Sequence, residues 1–252
     1  MTEPGRYQRQ IQLPEIGEAG QKRFGEACVA IVGVGALGGN AAQMLCRMGI
    51  GELILIDDDV LQLHNLHRQV LYNEDDVQGG NPKVVSAQKH LHRINGDCRV
   101  RAHSVRLTAE NIDELLADAE VIVDGTDNFT ARFLLNDYSV KNNKPFIHGA
   151  VLAMSGTMMV VRPGGRPCLA CLYPETPDND EVETVETAGV LACAPAVIAQ
   201  WQVTEVCKFL VNQPTLPNMI LHDIWRGETL LNNVPPDPDC RCCGRRDFIY
   251  LH

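Results

Sequence analysis

Three sets of residues in this sequence can do chemistry. The first is Gly33, Gly35 and Gly38, spaced G-x-G-x-x-G in VAIVGVGALGGN. Glycines so spaced let the chain turn tightly and let a phosphate approach the main chain. A helix starting there offers unpaired N–H groups and the positive end of its dipole. The second set is acids and bases downstream. Asp57 lies about 20 residues past the turn, where a ribose-binding acid is expected. Asp59 and Asp127 can hold Mg2+ beside a triphosphate, since Mg2+ takes one or two carboxylates with phosphate oxygens. Arg68 and Lys83 can spread the charge that phosphate transfer develops. The third set is two cysteine hooks, Cys168-x-x-Cys171 and Cys240-x-Cys242-Cys243. Two C-x-x-C pairs match a four-thiolate zinc site, which leaves no open position and so staples rather than catalyses.

Each set also has a plainer reading. The acids can cap strand ends, the bases can be solvated surface charges, and the thiols can be free or a redox pair. On its residues alone Arg9 stays a surface charge. Cys242 is a spare thiol that competes for the zinc assignment. Cys193 precedes a proline and a long helix, where a helix N-terminus lowers a thiol pKa. A buried small residue is the expected reading there. His64, His67, His148 and His222 lack metal spacing and read as ordinary polar packing. Cys28, Cys46, Cys98 and Cys207 fall on apolar faces and read as core thiols.

The elements that must position these groups are legible as alternating strands and helices. Four apolar residues, 29–32, read as a buried strand before the glycine turn, and AAQMLCRMG continues as a helix. Residues 52–56 form a second strand ending at Asp57. Residues 61–83 read as a long polar loop carrying Asn65, Arg68, Gln69 and Lys83. Such a loop beside a phosphate turn is usually functional. Pro82 suits a helix start, and that helix is expected to run to about residue 94. Residues 98–105 alternate like an edge strand, and 108–119 read as a helix. Residues 121–124 and 145–150 are further strands, separated by a helix that carries Arg132. This alternation predicts an α/β fold with a doubly wound, mostly parallel sheet. Ligands of such sheets bind at the carboxyl ends of strands, so both acidic clusters, Asp57–Asp59 and Asp124 with Asp127, should face the glycine turn. After residue 150 the pattern changes to an antiparallel extension: GTMMVVRP, the first hook, an acidic stretch over 175–186, a helix over about 195–211, the strand MILHDI and the second hook. No linker divides the chain. We expect one domain over 1–252, with an arm over 1–27, a nucleotide-binding part over 28–150, and a remainder over 151–252 that binds the partner and the zinc.

Composition narrows the function classes. The 252 residues carry a net charge of −10 and no basic run, which argues against nucleic acid as a partner. Apolar content of 45% is ordinary for a globular protein, and no stretch approaches the roughly 20 apolar residues of a membrane span. The first 20 residues lack the apolar core of an export signal, so a cytoplasmic protein is expected. The glycine turn by itself fits NAD as well as ATP. An NAD-dependent oxidoreductase would leave Arg68, Lys83 and Asp127 without a purpose.

RYQRQI, VAIVGVGALGG, LIDDDVLQLHNLHRQ, NPK, DGTDN, CLAC, ETAGV and CRCC occur together in this chain. Across nearly its whole length the sequence resembles the prokaryotic ubiquitin-activating-enzyme-like adenylyltransferases, the ThiF/MoeB/HesA family. The resemblance implies ATP rather than NAD. It implies adenylation of the C-terminal glycine carboxylate of a small ubiquitin-like sulfur-carrier protein ending in Gly-Gly, as in molybdopterin or thiamine biosynthesis. The alternative of the same class is adenylation of another carboxylate, that of a peptide natural-product precursor or a tRNA base. Under the resemblance Gly33, Gly35 and Gly38 take the phosphate turn, Asp57 the ribose with Asp59 beside it, and Asn65, Arg68, Gln69 and Lys83 the triphosphate. Asp127 takes Mg2+, with Asn128 and Arg132 near it. Arg9 becomes an arginine lent across a homodimer. Cys168, Cys171, Cys240 and Cys243 take zinc, and residues 175–186 a crossover segment above the carrier's tail. Many members carry a cysteine shortly before AGV, where this chain has Val185. With that cysteine replaced, either the reaction ends at the acyl-adenylate or Cys193 takes over its role, and the first is the favoured expectation.

Overall fold

The computed structural model describes residues 5–175, 177, 183–216 and 219–252. Two helices open it, α1 (Gln8–Ile11) and α2 (Gly17–Glu26). Then β1 (Cys28–Val32), α3 (Ala36–Met48) and β2 (Glu52–Ile56) form the first parallel unit. The chain continues through α4 (Glu74–Gly79), α5 (Lys83–Ile94), β3 (Arg99–His103), α6 (Ile112–Leu115), β4 (Val121–Asp124), α7 (Phe129–Asn142) and β5 (Phe146–Leu152). It closes with β6 (Ser155–Val161), α8 (Leu169–Leu172), α9 (Val185–Ala188), α10 (Ala194–Leu210), β7 (Met219–Asp223) and β8 (Glu228–Asn232).

All eight strands form one sheet in the order β3-β2-β1-β4-β5-β6-β7-β8. The first five are parallel, and β6, β7 and β8 join antiparallel. Every residue of β1, β2 and β4 is buried, as parallel strands covered on both faces must be. Because side chains alternate along a strand, β1 feeds two cores. Val29 and Ile31 pack with Leu45 of α3, Leu91 of α5 and Ile198 and Val203 of α10. Ala30 and Val32 face Phe133 of α7, Leu169 of α8 and the cysteine-rich tail. The doubly wound sheet is thus as expected, with α3 and α10 side by side on one face.

Two local expectations need correction, and one strand lies outside them. The helix expected over 108–119 shrinks to Ile112–Leu115. At its start Asn111 accepts the Thr108 N–H at 2.9 Å and donates to Arg106 O at 2.9 Å, holding a turn. At its end the Lys144 ammonium collects the carbonyls of Leu116, Ala117 and Ala119. The loop over 61–83 contains α4, whose start is fixed by Asn73 accepting from the N–H groups of Asp75 and Asp76. Strand β8 lacks any apolar alternation because it is exposed along its whole length at the sheet edge.

Candidate active site

The turn after β1 is pressed against the turn after β4. Gly33 has a φ of +81°, and a Cβ there would lie 2.5 Å from Gly125 O. A Cβ on Gly38 would lie 1.8 Å from Gly33 O, so the first turn of α3 sits directly on the loop. Gly35 caps α3, a helix of 13 residues, and leaves its opening N–H groups toward the crevice.

Asp57 joins the end of β2 to this turn. Its Oδ2 accepts from Val34 N at 2.7 Å and its Oδ1 from Asp59 N at 2.9 Å. Burial pushes its carboxyl above the usual aspartate range, against the opposing pull of Lys83 and these two amides. The carboxylates of Asp57, Asp58 and Asp59 offer oxygens within 4.8 Å of one another. Lys83 comes back to the same place because Pro82 bridges Val60 and Lys83 N donates to Asp59 O at 2.9 Å. Its ammonium lies 2.6 Å from Asp59 Oδ2.

The segment between them supplies polar groups of different kinds. Asn65 is buried, and its Oδ1 accepts from Gln62 N at 3.0 Å, closing a one-turn 3-10 helix. Arg68 is half-buried, donating to His64 O at 3.0 Å and meeting His67 Nε2 at 2.8 Å. Gln69 is 4% exposed, with its side-chain amide against Gly35. Its Oε1 has no hydrogen-bond partner among the described residues. A buried amide with an unspent oxygen beside a phosphate-type turn suits a polar ligand.

At the end of β4 the two acids part company. Asp127 is exposed, with Asn128 Nδ2 at 3.4 Å from its Oδ1. Asp124 is fully buried, contrary to the expectation that it faces the crevice. It is bound by His148 Nδ1 at 2.7 Å, Thr126 N at 2.9 Å and Thr126 Oγ1 at 2.7 Å. Burial alone would raise its pKa, but these hydrogen bonds and the nearby Arg132 hold it below the usual range. Asn128 Oδ1 caps α7 by accepting Ala131 N at 2.9 Å. Arg132 is buried and turned inward, donating to Thr126 O at 3.1 Å, with its guanidinium 5.2 Å from the Phe129 ring centre. These two residues brace the turn, a role that their spacing in the sequence does not signal. His148 was legible only as polar packing.

Arg9 does not join this group. It is exposed on α1, donating to Gln12 Oε1 at 3.4 Å. Its helix docks at the opposite end of α3, where Gln10 donates to Met48 O at 3.0 Å and Tyr7 packs on Gly49. At 1.5 Å per residue, α3 separates that end from Gly35 by roughly 20 Å.

The cysteine hooks do converge. The four Sγ atoms of Cys168, Cys171, Cys240 and Cys243 lie within 4.8 Å of one another, with 168–240 at 3.7 Å and 171–243 at 3.4 Å. Four thiolates about 2.3 Å from a zinc ion would stand roughly 3.8 Å apart, so the set fits the ion. Cys242 falls outside this mutually close set: its thiol is hydrogen-bonded to that of Cys168 and accepts from Asn136 Nδ2 at 3.2 Å. Cys28, Cys46, Cys98 and Cys207 are buried core thiols, and burial pushes Cys207 up to about 12. Cys193 corrects its expectation: it is exposed, at the start of α10. Val185 opens α9. Residues 176 and 178–182 of the expected crossover segment lie outside the described residues.

Comparison with known proteins aligns with this geometry. The ThiF family model matches residues 7–242. The chain is 40% identical over 250 residues to "Sulfur carrier protein ThiS adenylyltransferase" of Bacillus subtilis, covering 98% of this chain and 74% of that protein. It is 37% identical to "SAMP-activating enzyme E1" of Haloferax volcanii, covering 96% of this chain and 90% of that protein. Among solved structures it resembles E. coli MccB with ATP at a TM-score of 0.82 and 25% identity, over 96% of this chain and 75% of that one.

Proposed function

The chain belongs to the ThiF family, and from that premise we propose that it adenylates the C-terminal glycine carboxylate of a ubiquitin-like sulfur-carrier protein with ATP. The observation that carries this reading is the crevice of Gly33–Gly38, Asp57, Gln69 and Lys83 in a chain 40% identical to such an adenylyltransferase.

A carrier carboxylate oxygen attacks the α-phosphorus of ATP, the α–β bridging bond breaks, and pyrophosphate leaves with the bonding pair. No general base is required, since a carboxylate is already ionised at neutral pH. The protein's contribution is position and charge. The N–H groups opening α3 and the Nε2 of Gln69 donate to phosphate oxygens, and Arg68, Asn65 and Lys83 hold the triphosphate. Asp57 accepts from ribose hydroxyls, with Asp59 keeping Lys83 in place. Asp127 is an exposed, hard oxygen donor at a strand end, which fits Mg2+, and the ion would neutralise phosphate charge when bound. With Val185 in place of the family cysteine, no covalent step follows, and the product is the acyl-adenylate. No step is assigned to Cys193.

The active unit is a homodimer in which Arg9 of one copy reaches the phosphates of the other. What supports this is that Arg9 sits at the wrong end of α3 for its own crevice. The β7–β8 hairpin exposes Leu221, Trp225, Leu230 and Leu231, an apolar edge suited to a protein partner. The four hook cysteines hold a structural zinc, and thiolates kept free for a metal suit a reducing cytoplasm. No helix among the described residues is long and apolar enough to cross a membrane.

The test is ATP–pyrophosphate exchange with labelled pyrophosphate, Mg2+ and purified carriers ending in Gly-Gly. Carrier-dependent exchange is the expected result. ATP binding without exchange for any carrier would overturn the carrier assignment and point to a peptide or tRNA carboxylate.

A further inference from the structure

Beneath the exposed Asp127 lies a buried polar cluster that the proposed reaction does not use. His148 is 2% exposed and Asp124 is fully buried, so neither can touch a substrate. Yet its hydrogen bonds converge on the turn over 125–128 and on the strand ends beneath it. Asp124 Oδ2 accepts from His148 Nδ1 at 2.7 Å, which fixes the carboxylate plane. Its other oxygen accepts from both the amide and the hydroxyl of Thr126, at 2.9 and 2.7 Å. From the other side Arg132 donates to Thr126 O at 3.1 Å. Gln202 of α10 locks the strand below, donating to Asp124 O at 2.8 Å and Ile147 O at 3.0 Å. Thr126 is therefore held at its amide, its hydroxyl and its carbonyl. The next residue, Asp127, has an exposed carboxylate whose main chain is anchored from below.

We propose that His148, acting through Asp124 and Thr126, is a positioning residue that fixes Asp127 for the metal–triphosphate complex. This rests on the reading of Asp127 as the Mg2+ ligand. The physical reason is that a hard cation demands near-ideal oxygen geometry, so a ligand on a loose turn must be ordered at the moment of binding. A hydrogen-bonded layer behind a ligand removes that cost in advance. A core His–Asp pair serving stability alone has no need to terminate on a turn at the crevice.

Three variants test the chain of contacts. His148→Leu removes the donor to Asp124, and Thr126→Val removes the hydroxyl at nearly constant volume. His148→Asn restores a donor near the position of Nδ1. The measurements are ATP binding by titration calorimetry with and without Mg2+, amide hydrogen exchange over 125–128, and the KM for the carrier. Loss of one hydrogen bond to a charged group weakens the Mg2+-dependent part of ATP binding by roughly tenfold. We expect that loss in His148→Leu and Thr126→Val, with faster exchange over 125–128 and an unchanged carrier KM. His148→Asn should recover most of it. Folded variants with wild-type Mg2+ dependence and wild-type exchange would overturn the proposal. Should His148→Leu fail to fold, Thr126→Val decides on the same outcomes. Asp127→Asn, run in parallel, separates the two readings. If it is impaired and the other variants are not, only the positioning role falls. If it is unimpaired, Asp127 is not the Mg2+ ligand, and the positioning role, which rests on that reading, falls with it.

Discussion

The ammonium of Lys83 lies 2.6 Å from Asp59 Oδ2, with the lysine side chain 7% exposed and the aspartate 64%. The cation is thus stored at the wall of the crevice, paired to an acid that faces solvent. Lys83→Met should lower ATP–pyrophosphate exchange by on the order of a hundredfold, the cost of losing one preorganised charge on developing phosphate charge. Asp59→Asn should cost less, because it leaves the ammonium in place. Steady-state exchange assays on the two variants check the order.

The carboxyl of Asp57 is raised above the usual aspartate range, first by burial. A raised acid favours its protonated form in the fold, so its contribution to stability is greatest in acid and declines as pH climbs through the folded pKa. Nucleotide binding has the opposite sign, since only the ionised carboxylate accepts from both ribose hydroxyls and Val34 N. ATP affinity should fall on acidification with a midpoint above the value of about 3.9 for an ordinary aspartate. Calorimetric titrations across that range check this, and Asp57→Asn should flatten the profile.

Four thiols are close enough to one another to share one ion, and the fifth, Cys242, touches only Cys168 among them. Cys240→Ser should therefore abolish bound zinc and loosen the tail, while Cys242→Ser should keep full metal content. Metal analysis of the purified variants, together with their melting temperatures, distinguishes the two. Equal zinc loss in both would mean that the ligand set is wrong.

Arg9→Ala and Lys83→Met should each be impaired alone, by on the order of a hundredfold. Mixed under conditions that exchange subunits, they should regain exchange activity, because one of the two crevices in a mixed dimer then has its own Lys83 and the other copy's Arg9. No recovery after proven subunit exchange would show that Arg9 does not work across an interface.

The parts of this molecule that obey a period were legible in the sequence. Strands β1, β2 and β4 are short apolar runs before turn residues, and α3, α5 and α10 follow from 3.6-residue periodicity and their flanking glycines and prolines. The glycine turn, Asp57 and the two hooks were legible because their chemistry depends on spacing along the chain. What spacing could not reveal was depth. Asp124 and Asp127 stand three residues apart at one strand end, yet one is sealed in the core and the other is open to solvent. The difference comes from His148, on a neighbouring strand and distant in sequence. Arg132 and Asn128 likewise read as ligand residues, while their hydrogen bonds go to the turn and to α7. Strand β8 was missed because an edge strand exposed on both faces has no hydrophobic pattern to betray it.

Helix α3 carries the phosphate turn at one end and the docked arm with Tyr7 and Gln10 at the other. It is a single rigid rod of 13 residues. In a dimer that exchanges arginines, the rod that senses a protomer's own nucleotide is the mount for the arginine offered to its neighbour. A displacement of the turn on filling one crevice is then transmitted along the rod to the other crevice. The two sites of such a dimer would not titrate as independent copies, and the departure from a simple hyperbola would measure the stiffness of that connection.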